Sequence, residues 1–183
     1  MRAFTVVGLL AVIAMVSTGR GLAAGQRGAR VSPHESVSAS IDGADLTITY
    51  GRPSMRGRTI FGALVPYERV WCPGADEATT LDSTRALQIG TLAVPPGPHT
   101  IWMLPTASVW TLVVSKEPSG FHTRYNGAAD LGRVALRKQA LTEPPSGVET
   151  LTFAIEKNPS GAGGVIKMTW ETTEVSALFT VVQ

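Results

Sequence analysis

Apolar and polar residues alternate along most of this chain in short runs, the pattern of β-strands with one buried face. The first run places Val37, Ala39 and Ile41 on one face, and Asp42-Gly43 leads into a second alternating run. An Asp-Gly pair between two such runs predicts a β-hairpin. Further candidate strands, each bounded by Gly or Pro, are residues 78–83, 87–92, 99–104, 109–115, 131–136, 148–155, 165–170 and 175–182.

Short strands at regular spacing predict an all-β fold. We expect a single-domain antiparallel β-sandwich of about 8–10 strands over residues 35–183, with Trp110 and Trp170 in its core. Trp102 fits a buried position and an exposed ligand platform equally well. The sequence NPSGAGG at 158–164 predicts a flexible hairpin loop, and residues 133–141 also fit a short amphipathic helix.

One segment breaks the alternation. Residues 51–74 carry four arginines among Gly, Pro and short apolar runs. This composition predicts a long ordered Arg-containing loop, with one helical turn near residues 61–64. Binding groups often lie on loops that a rigid sheet holds in place, which makes this segment the first place to look for a site.

The N-terminus has the pattern of a secretory signal peptide. A charged start is followed by an apolar run over residues 3–16 and by small residues up to Ala23 and Ala24. The run is shorter than the roughly 20 residues that span a bilayer, and no later run replaces it, so no transmembrane segment is expected after cleavage. We expect residues 1–24 to be a signal peptide cleaved near Ala23 or Ala24, residues 25–34 to be a flexible segment, and the mature protein to be periplasmic or extracellular.

Composition and charge exclude several classes of protein. The 183 residues are 44% hydrophobic and 16% charged, which argues against disorder and against a coiled coil. Cleavage of the leader removes two arginines and leaves a formally neutral chain, so no basic field for nucleic acid is expected. Cys72 is the single cysteine, so no internal disulfide forms, and we expect it to be a buried small hydrophobe.

A longer run carries a family resemblance. Residues 50–80 read YGRPSMRGRTIFGALVPYERVWCPGADEATT, and Pro96-Gly97, residues 110–112, Asp130 with Arg133, residues 149–153 and Trp170 continue the pattern. The chain resembles the exported bacterial family known as domain of unknown function 2911 over residues 32–182. The resemblance implies an exported, mostly antiparallel β domain and no known reaction. Relatives are expected to read Trp-Arg-Thr-Gly-Ala-Asn where this chain reads WCPGAD at 71–76, with cysteine for arginine and aspartate for asparagine.

The Arg-containing segment gives the candidate ligand site. Guanidinium groups bind carboxylates and phosphates through paired N–H donors, and an acidic pair close in sequence would orient them. We predict a ligand site formed by Tyr50, Arg52, Arg58, Asp76 and Glu77, with His99 at its rim. The alternative is structural: the arginines, Arg56 included, brace the loop by pairing with Asp76, Glu77 or Glu68.

Other chemistry has little support in the sequence. His34, His99 and His122 are far apart and lack metal-ligand spacing, so no metal and no cofactor is expected. We expect His122 to be exposed and Asp130 to pair with Arg133 at a strand end. No Gly-x-Ser-x-Gly nucleophile motif is present, and no His lies near Cys72 in sequence.

These observations favour an exported non-catalytic binding or structural module. Its partner would be a small anionic or polyhydroxylated ligand, or a protein. The alternative is a hydrolase or isomerase in which Glu77 or Asp76 is the general base and Arg58 stabilises negative charge. A third possibility is an assembly domain with an exposed apolar patch or strand edge.

Overall fold

The computed structural model describes residues 32–141 and 147–183, which form eleven strands and one short 3-10 helix. The strands are β1 (His34–Ile41), β2 (Ala44–Gly51), β3 (Thr80–Ser83), β4 (Leu87–Ile89), β5 (Leu92–Val94), β6 (Gly97–Pro105), β7 (Trp110–Ser115), β8 (Asp130–Ala140), β9 (Val148–Lys157), β10 (Gly164–Glu171) and β11 (Thr173–Val181), and the helix is η1 (Gly127–Ala129). The predicted leader, residues 1–24, lies outside the described residues. So does most of the predicted flexible segment 25–34, of which His34 already belongs to β1.

All strand pairs are antiparallel and belong to one sheet. Its order is β1-β2-β3-β6-β7-β8-β11-β10-β9, and the short β4 pairs with both β11 and β5. The sheet rolls up so that its first and last strands, β1 and β9, lie side by side. The predicted all-β antiparallel fold is therefore confirmed, whereas the sandwich is not. Pairing of β8 with β11 joins what would be two separate sheets into one.

The predicted hairpins form at the turn residues that the sequence indicates. β1 and β2 pair from Ile41 with Ala44 outward, and Asp42 and Gly43 have φ angles of 49° and 80°, as this two-residue turn requires. The Asn- and Gly-rich loop joins β9 to β10 as predicted. Residues 130–140 are strand β8, so the helix alternative for 133–141 is wrong. At residues 60–65 the chain forms a hydrogen-bonded turn, in which Ala63 N–H donates to Ile60 O at 3.3 Å, rather than the regular helical turn that the sequence predicts.

Side chains that point inward along the strands form the main core. Trp110, Trp170 and Phe179 are among its largest fully buried members, which confirms the predicted positions of the first two. A second, smaller cluster forms on the outer face of β6 and β7, where Trp102 and Val113 pack with Cys72 and Ala78. Trp102 is thus buried, and Cys72 is the small buried side chain that was predicted.

The segment between β2 and β3, residues 52–79, crosses the rolled sheet at one end. Its first residues run beside the start of β9: Met55 N–H donates to Glu149 O at 2.8 Å and Leu151 N–H donates to Pro53 O at 3.0 Å. Farther along, the backbone of Trp71 exchanges two hydrogen bonds of 2.8 Å with Met103 on β6. The segment therefore connects β9 to the second half of β6. It also forms one wall of the site described below. Within the described ranges, no helix is long and apolar enough to cross a membrane.

Candidate functional site

A pocket of about 590 Å³ lies between the 52–79 segment and the end of β10. This volume is within the roughly 300–1,000 Å³ typical of small-molecule sites. Nine of its twelve described lining residues come from the 52–79 segment, and Ser32, His122 and Trp170 complete it. The lining from the segment comprises Pro53, Ser54, Arg56, Arg58, Leu64, Val65, Trp71, Gly74 and Ala75.

An aromatic cluster forms the apolar part of the pocket. Trp71 stacks on Trp170 with ring centroids 6.1 Å apart and an angle of 17° between the planes. Phe61 packs roughly perpendicular to both indoles. Trp170 is 1% exposed, and its Nε1–H donates to Glu149 O at 3.2 Å. The half-buried Trp71 is therefore held against a rigid floor, with part of its ring left at the pocket surface.

The carboxylate of Glu171 fixes the turn that carries Phe61. Its two oxygens accept the backbone N–H groups of Ile60 at 3.0 Å and Phe61 at 3.3 Å. Glu171 lies at the turn between β10 and β11 with a φ angle of 53°, a conformation in which few non-glycine residues occur. A single acidic side chain thus docks the 60–65 turn onto the sheet.

A second close approach positions the wall formed by Gly74 and Ala75. A Cβ atom at Gly51, the last residue of β2, would lie 2.1 Å from Ala75 O. The absence of a side chain at Gly51 is what lets this turn pack directly on the strand. Asp76 follows with a φ angle of 65°, a left-handed conformation that Asp and Asn adopt more readily than other non-glycine residues. The aspartate found where relatives are expected to have asparagine therefore suits the same backbone geometry.

Arg58 supplies positive charge at the pocket. Its Nε donates to Met55 O and its Nη2 donates to Ser54 O, both at 2.9 Å. Arg56 and Gly57 both have positive φ angles, 52° and 73°, which turn the chain sharply before Arg58. Arg58 is bound to carbonyl oxygens, which orient the guanidinium group and leave its charge uncompensated by a carboxylate within the described part of the chain.

His122 faces the same pocket from the connection between β7 and β8. Its Nδ1 lies 2.7 Å from Asp76 O, and its backbone N–H donates to that same carbonyl at 3.0 Å. The ring of Phe121 lies alongside, 4.6 Å between centroids. The expectation that His122 is exposed is wrong: the residue is half-buried because the 74–76 turn packs on it.

Two of the residues predicted for the site are not among the described residues that line the pocket and contact β9 instead. Tyr50 is a core residue, 3% exposed, whose hydroxyl accepts the N–H of Phe153 at 3.2 Å. Arg52 donates to Leu151 O at 3.1 Å, to Thr152 Oγ1 at 3.0 Å and to both carboxylate oxygens of Glu35 at 3.2 Å. Arg52 is thus a brace, as the structural alternative predicts, although its acidic partner is Glu35.

The remaining predicted residues are divided between the pocket edge and the sheet. Asp76 orients His122 through its carbonyl. Glu77 lies 3.6 Å from His34 Nδ1 and pairs with Phe121 through the backbone. His99 is buried in β6, with its ring nitrogens 2.9 Å from Ser115 O and 3.1 Å from Pro95 O. Of the six predicted residues, Arg58 alone is among the described residues that line the pocket.

Sequence reasoning missed the aromatic wall and His122. Trp71 lies in the family pattern but carries no signal of exposure, and the strand pattern around Trp170 predicts a core position alone. His122 is separated from Asp76 by 46 positions, so no local pattern connects them. Their shared carbonyl contact becomes visible only in the folded chain.

Two further polar groups lie outside the pocket. Asp130 and Arg133 form the predicted ion pair at 2.9 Å, and the Tyr125 hydroxyl donates to Asp130 at 2.7 Å. Burial and the hydrogen bond to Asp130 raise the pKa of Tyr125. Burial raises the pKa of the Cys72 thiol to about 11, which makes it a poor nucleophile.

The lining favours an anion over a cation. The described lining residues include two arginines but no carboxylate. Glu149 lies next to this lining, and its Oε1 accepts the backbone N–H of Arg56 at 2.9 Å. Among the described residues, no group of three His, Cys, Asp or Glu side chains is arranged to hold a metal ion.

Comparison with known proteins gives a family and no characterised relative. A family model with the description "Protein of unknown function (DUF2911)" matches residues 32–179. No curated protein and no solved structure matches the chain.

Proposed function

The chain belongs to the family described as Protein of unknown function (DUF2911), and from that premise we propose that it is an exported, non-catalytic binding module for a small anionic ligand. One observation carries the proposal. The guanidinium group of Arg58 and the imidazole of His122 line one pocket with the Trp71 and Trp170 rings, and no carboxylate is among the described residues that line it.

The chemistry of the lining supports an anion with an apolar or ring-shaped body. The exposed guanidinium group of Arg58 is held by two carbonyl oxygens and keeps its positive charge, so it attracts a carboxylate or phosphate. Trp71 offers an apolar surface beside that charge. A ligand that satisfies both features would gain affinity from each.

The carboxylate chemistry of the enzyme alternative has no comparable support. The Asp76 carbonyl orients His122, and the Glu77 side chain lies beside His34, while neither residue is among those lining the pocket. A general base must reach the proton that it removes. The binding proposal requires no such group.

Thermal denaturation with a ligand panel tests the binding proposal. The panel contains carboxylates, phosphates, sugars, nucleotides and peptidoglycan fragments. A ligand at about 100 times its dissociation constant stabilises the fold by roughly 2.7 kcal/mol, which raises the melting temperature measurably. We expect anionic compounds to give this rise and Arg58→Ala to abolish it.

Two variants make the test specific. Arg69→Ala removes an exposed arginine of the same segment that does not line the pocket, and it should leave the ligand-induced rise unchanged. Arg52→Ala should lower the melting temperature of the free protein and still allow the rise. A rise that persists in Arg58→Ala, or that only neutral compounds produce, would contradict the proposal.

Export is tested separately by the mature N-terminus. A bacterial host that secretes the protein should yield a chain beginning at Ala24 or Gly25, recovered outside the cytoplasm, because small residues precede the proposed cleavage point. Recovery of the uncleaved chain in the cytoplasm would refute export and leave the binding proposal standing.

A further inference from the structure

The hydrogen bonding of His122 fixes which ring nitrogen stays available to a ligand. Asp76 O is a carbonyl oxygen and only accepts, so Nδ1 must be the protonated nitrogen in their 2.7 Å contact. A neutral imidazole carries one N–H, which leaves Nε2 as an acceptor. Nε2 makes no hydrogen bond to any other described residue, and the ring lines the pocket. In its neutral form, His122 therefore has Nε2 available as an acceptor at a residue that lines the pocket.

The surroundings hold His122 in this orientation. The same Asp76 carbonyl also accepts the backbone N–H of His122, and the left-handed backbone at Asp76 aims that carbonyl at the ring. The neighbouring residue Phe121 pairs with Glu77, and Ala78 N–H donates to Gly120 O at 3.0 Å. Two stretches of chain are thus joined around the histidine, so the tautomer and the ring direction are set before a ligand arrives.

The pocket therefore offers a ligand three different kinds of group. Arg58 offers a cation, Nε2 of His122 offers a hydrogen-bond acceptor, and Trp71 offers an aromatic surface. We infer that the ligand is a sugar acid, meaning a hydroxylated ring that bears a carboxylate. The carboxylate pairs with Arg58, a ring hydroxyl donates to His122 Nε2, and a C–H face of the ring packs on Trp71. This inference rests on the proposed function and names the class of its ligand.

Simpler ligands leave one of these groups without a partner. An apolar carboxylic acid would cover Nε2 of His122 but has no hydroxyl to donate to it. Because burying an acceptor without a donor costs free energy, such a ligand would bind less tightly. A neutral sugar displaces water from Arg58 without supplying a negative charge. A sugar acid satisfies both groups at once.

Four probes of three kinds separate the requirements. D-glucuronate and D-galacturonate carry the carboxylate and the hydroxyls, cyclohexanecarboxylate carries the carboxylate and a ring alone, and D-glucose carries the hydroxyls alone. Isothermal titration is performed on protein expressed from the full sequence. We expect at least one uronate to bind roughly tenfold more tightly than either simpler probe, the effect of one well-formed hydrogen bond or ion pair.

A substitution at His122 tests the acceptor directly. The side-chain amide that His122→Asn introduces can keep the hydrogen bond to Asp76 O, because its nitrogen occupies a position close to that of Nδ1, but it has no counterpart of Nε2. We expect uronate affinity to fall about tenfold while cyclohexanecarboxylate affinity is unchanged. Arg58→Gln should weaken both acids, and Arg69→Gln should weaken neither. Circular dichroism and melting temperature verify the fold of each variant.

The outcomes distinguish the two proposals. If cyclohexanecarboxylate binds as tightly as the uronates, or if His122→Asn weakens both acids equally, the sugar-acid inference is overturned and anion binding remains. If no uronate binds, the sugar-acid inference is overturned, and the proposed function fails with it only if no anionic compound of the thermal panel raises the melting temperature either. The comparison of probes on the unsubstituted protein decides the inference even if His122→Asn does not fold.

Discussion

Arg52 connects three parts of the fold, and its loss should weaken the fold itself. Its guanidinium group bonds Glu35 on β1 and two positions on β9, and the side chain is 32% exposed. We expect Arg52→Ala to lower the free energy of unfolding by about 1–3 kcal/mol, because bonds to charged groups contribute about 1.5–3 kcal/mol before solvent screening reduces them. Urea denaturation measures the change. Arg69→Ala should stay within about 0.5 kcal/mol, and an equally small loss at Arg52 would mean that the brace adds little.

The Cys72 thiol should be inert in the folded protein. It is 1% exposed, and burial raises its pKa to about 11. At pH 8 only about one thiol in a thousand would be the reactive thiolate, and the outer cluster around Trp102 restricts access to it. We expect no labelling by iodoacetamide in native buffer and one equivalent of labelling in urea. Rapid labelling of the native protein would show that the cluster opens readily.

Sequence patterns indicated which side chains could form ion pairs or bind an anion, but not which of them brace the fold and which line the pocket. Arg52 and Arg58 are six positions apart with the same charge, yet one braces β9 and the other lines the pocket. The difference depends on partners about 100 positions away for Arg52, which no local pattern contains. Burial of Cys72 and the pairing of Asp130 with Arg133 were predictable because each depends on residue chemistry or close spacing.

Among the elements, the 60–65 turn depends on a carboxylate from another part of the chain. Glu171 accepts the N–H groups of Ile60 and Phe61, and Ile60 is fully buried. We expect Glu171→Ala to cost about 1–3 kcal/mol, because it removes the acceptor from these buried donors. Amide hydrogen exchange should accelerate at Ile60 and Phe61 while the pairing of β10 with β9 stays protected.

A control on the same hairpin makes this prediction specific. Glu174→Ala removes a carboxylate from β11 that does not contact the 60–65 turn, and exchange at Ile60 should be unchanged. Equal acceleration in both variants would indicate a general loss of stability rather than release of the turn.

Strands were the part of the fold that the sequence predicted best. Period-two alternation and turn residues are local, so the β1–β2 hairpin and the strands from β6 onward were found at nearly the right positions. The continuity of the sheet was not predictable in the same way. It depends on β8 pairing with β11 over four residues, and such a long-range choice leaves no local mark.

At the scale of the whole molecule, a rolled sheet must hold its two edge strands together. At the pocket end, Arg52 and the 52–56 stretch connect β1 to β9. At the other end, the Asp42 carboxylate in the β1–β2 turn accepts a hydrogen bond from Lys157 Nζ at the end of β9. It also accepts one from the backbone N–H of Gly163 in the β9–β10 loop, at 2.6 Å. Both contacts between the β1 and β9 sides of the sheet therefore use charged side chains, where backbone pairing between these two edge strands is incomplete.

The closure at Asp42 should make the rolled sheet sensitive to acid. Hydrogen bonds from Lys157 and Gly163 lower the pKa of Asp42 below its ordinary value of 3.8. A lowered pKa in the folded state means that the closure contributes its full stability above that ordinary value and loses it as the pH falls toward the folded pKa. We therefore expect Asp42→Asn to have a smaller difference in urea midpoint between pH 6 and pH 3 than the unsubstituted protein. Asp82→Asn, an exposed aspartate on β3, should keep the full difference. An unchanged difference in Asp42→Asn would mean that the acid response arises elsewhere and that the edge strands remain closed without this contact.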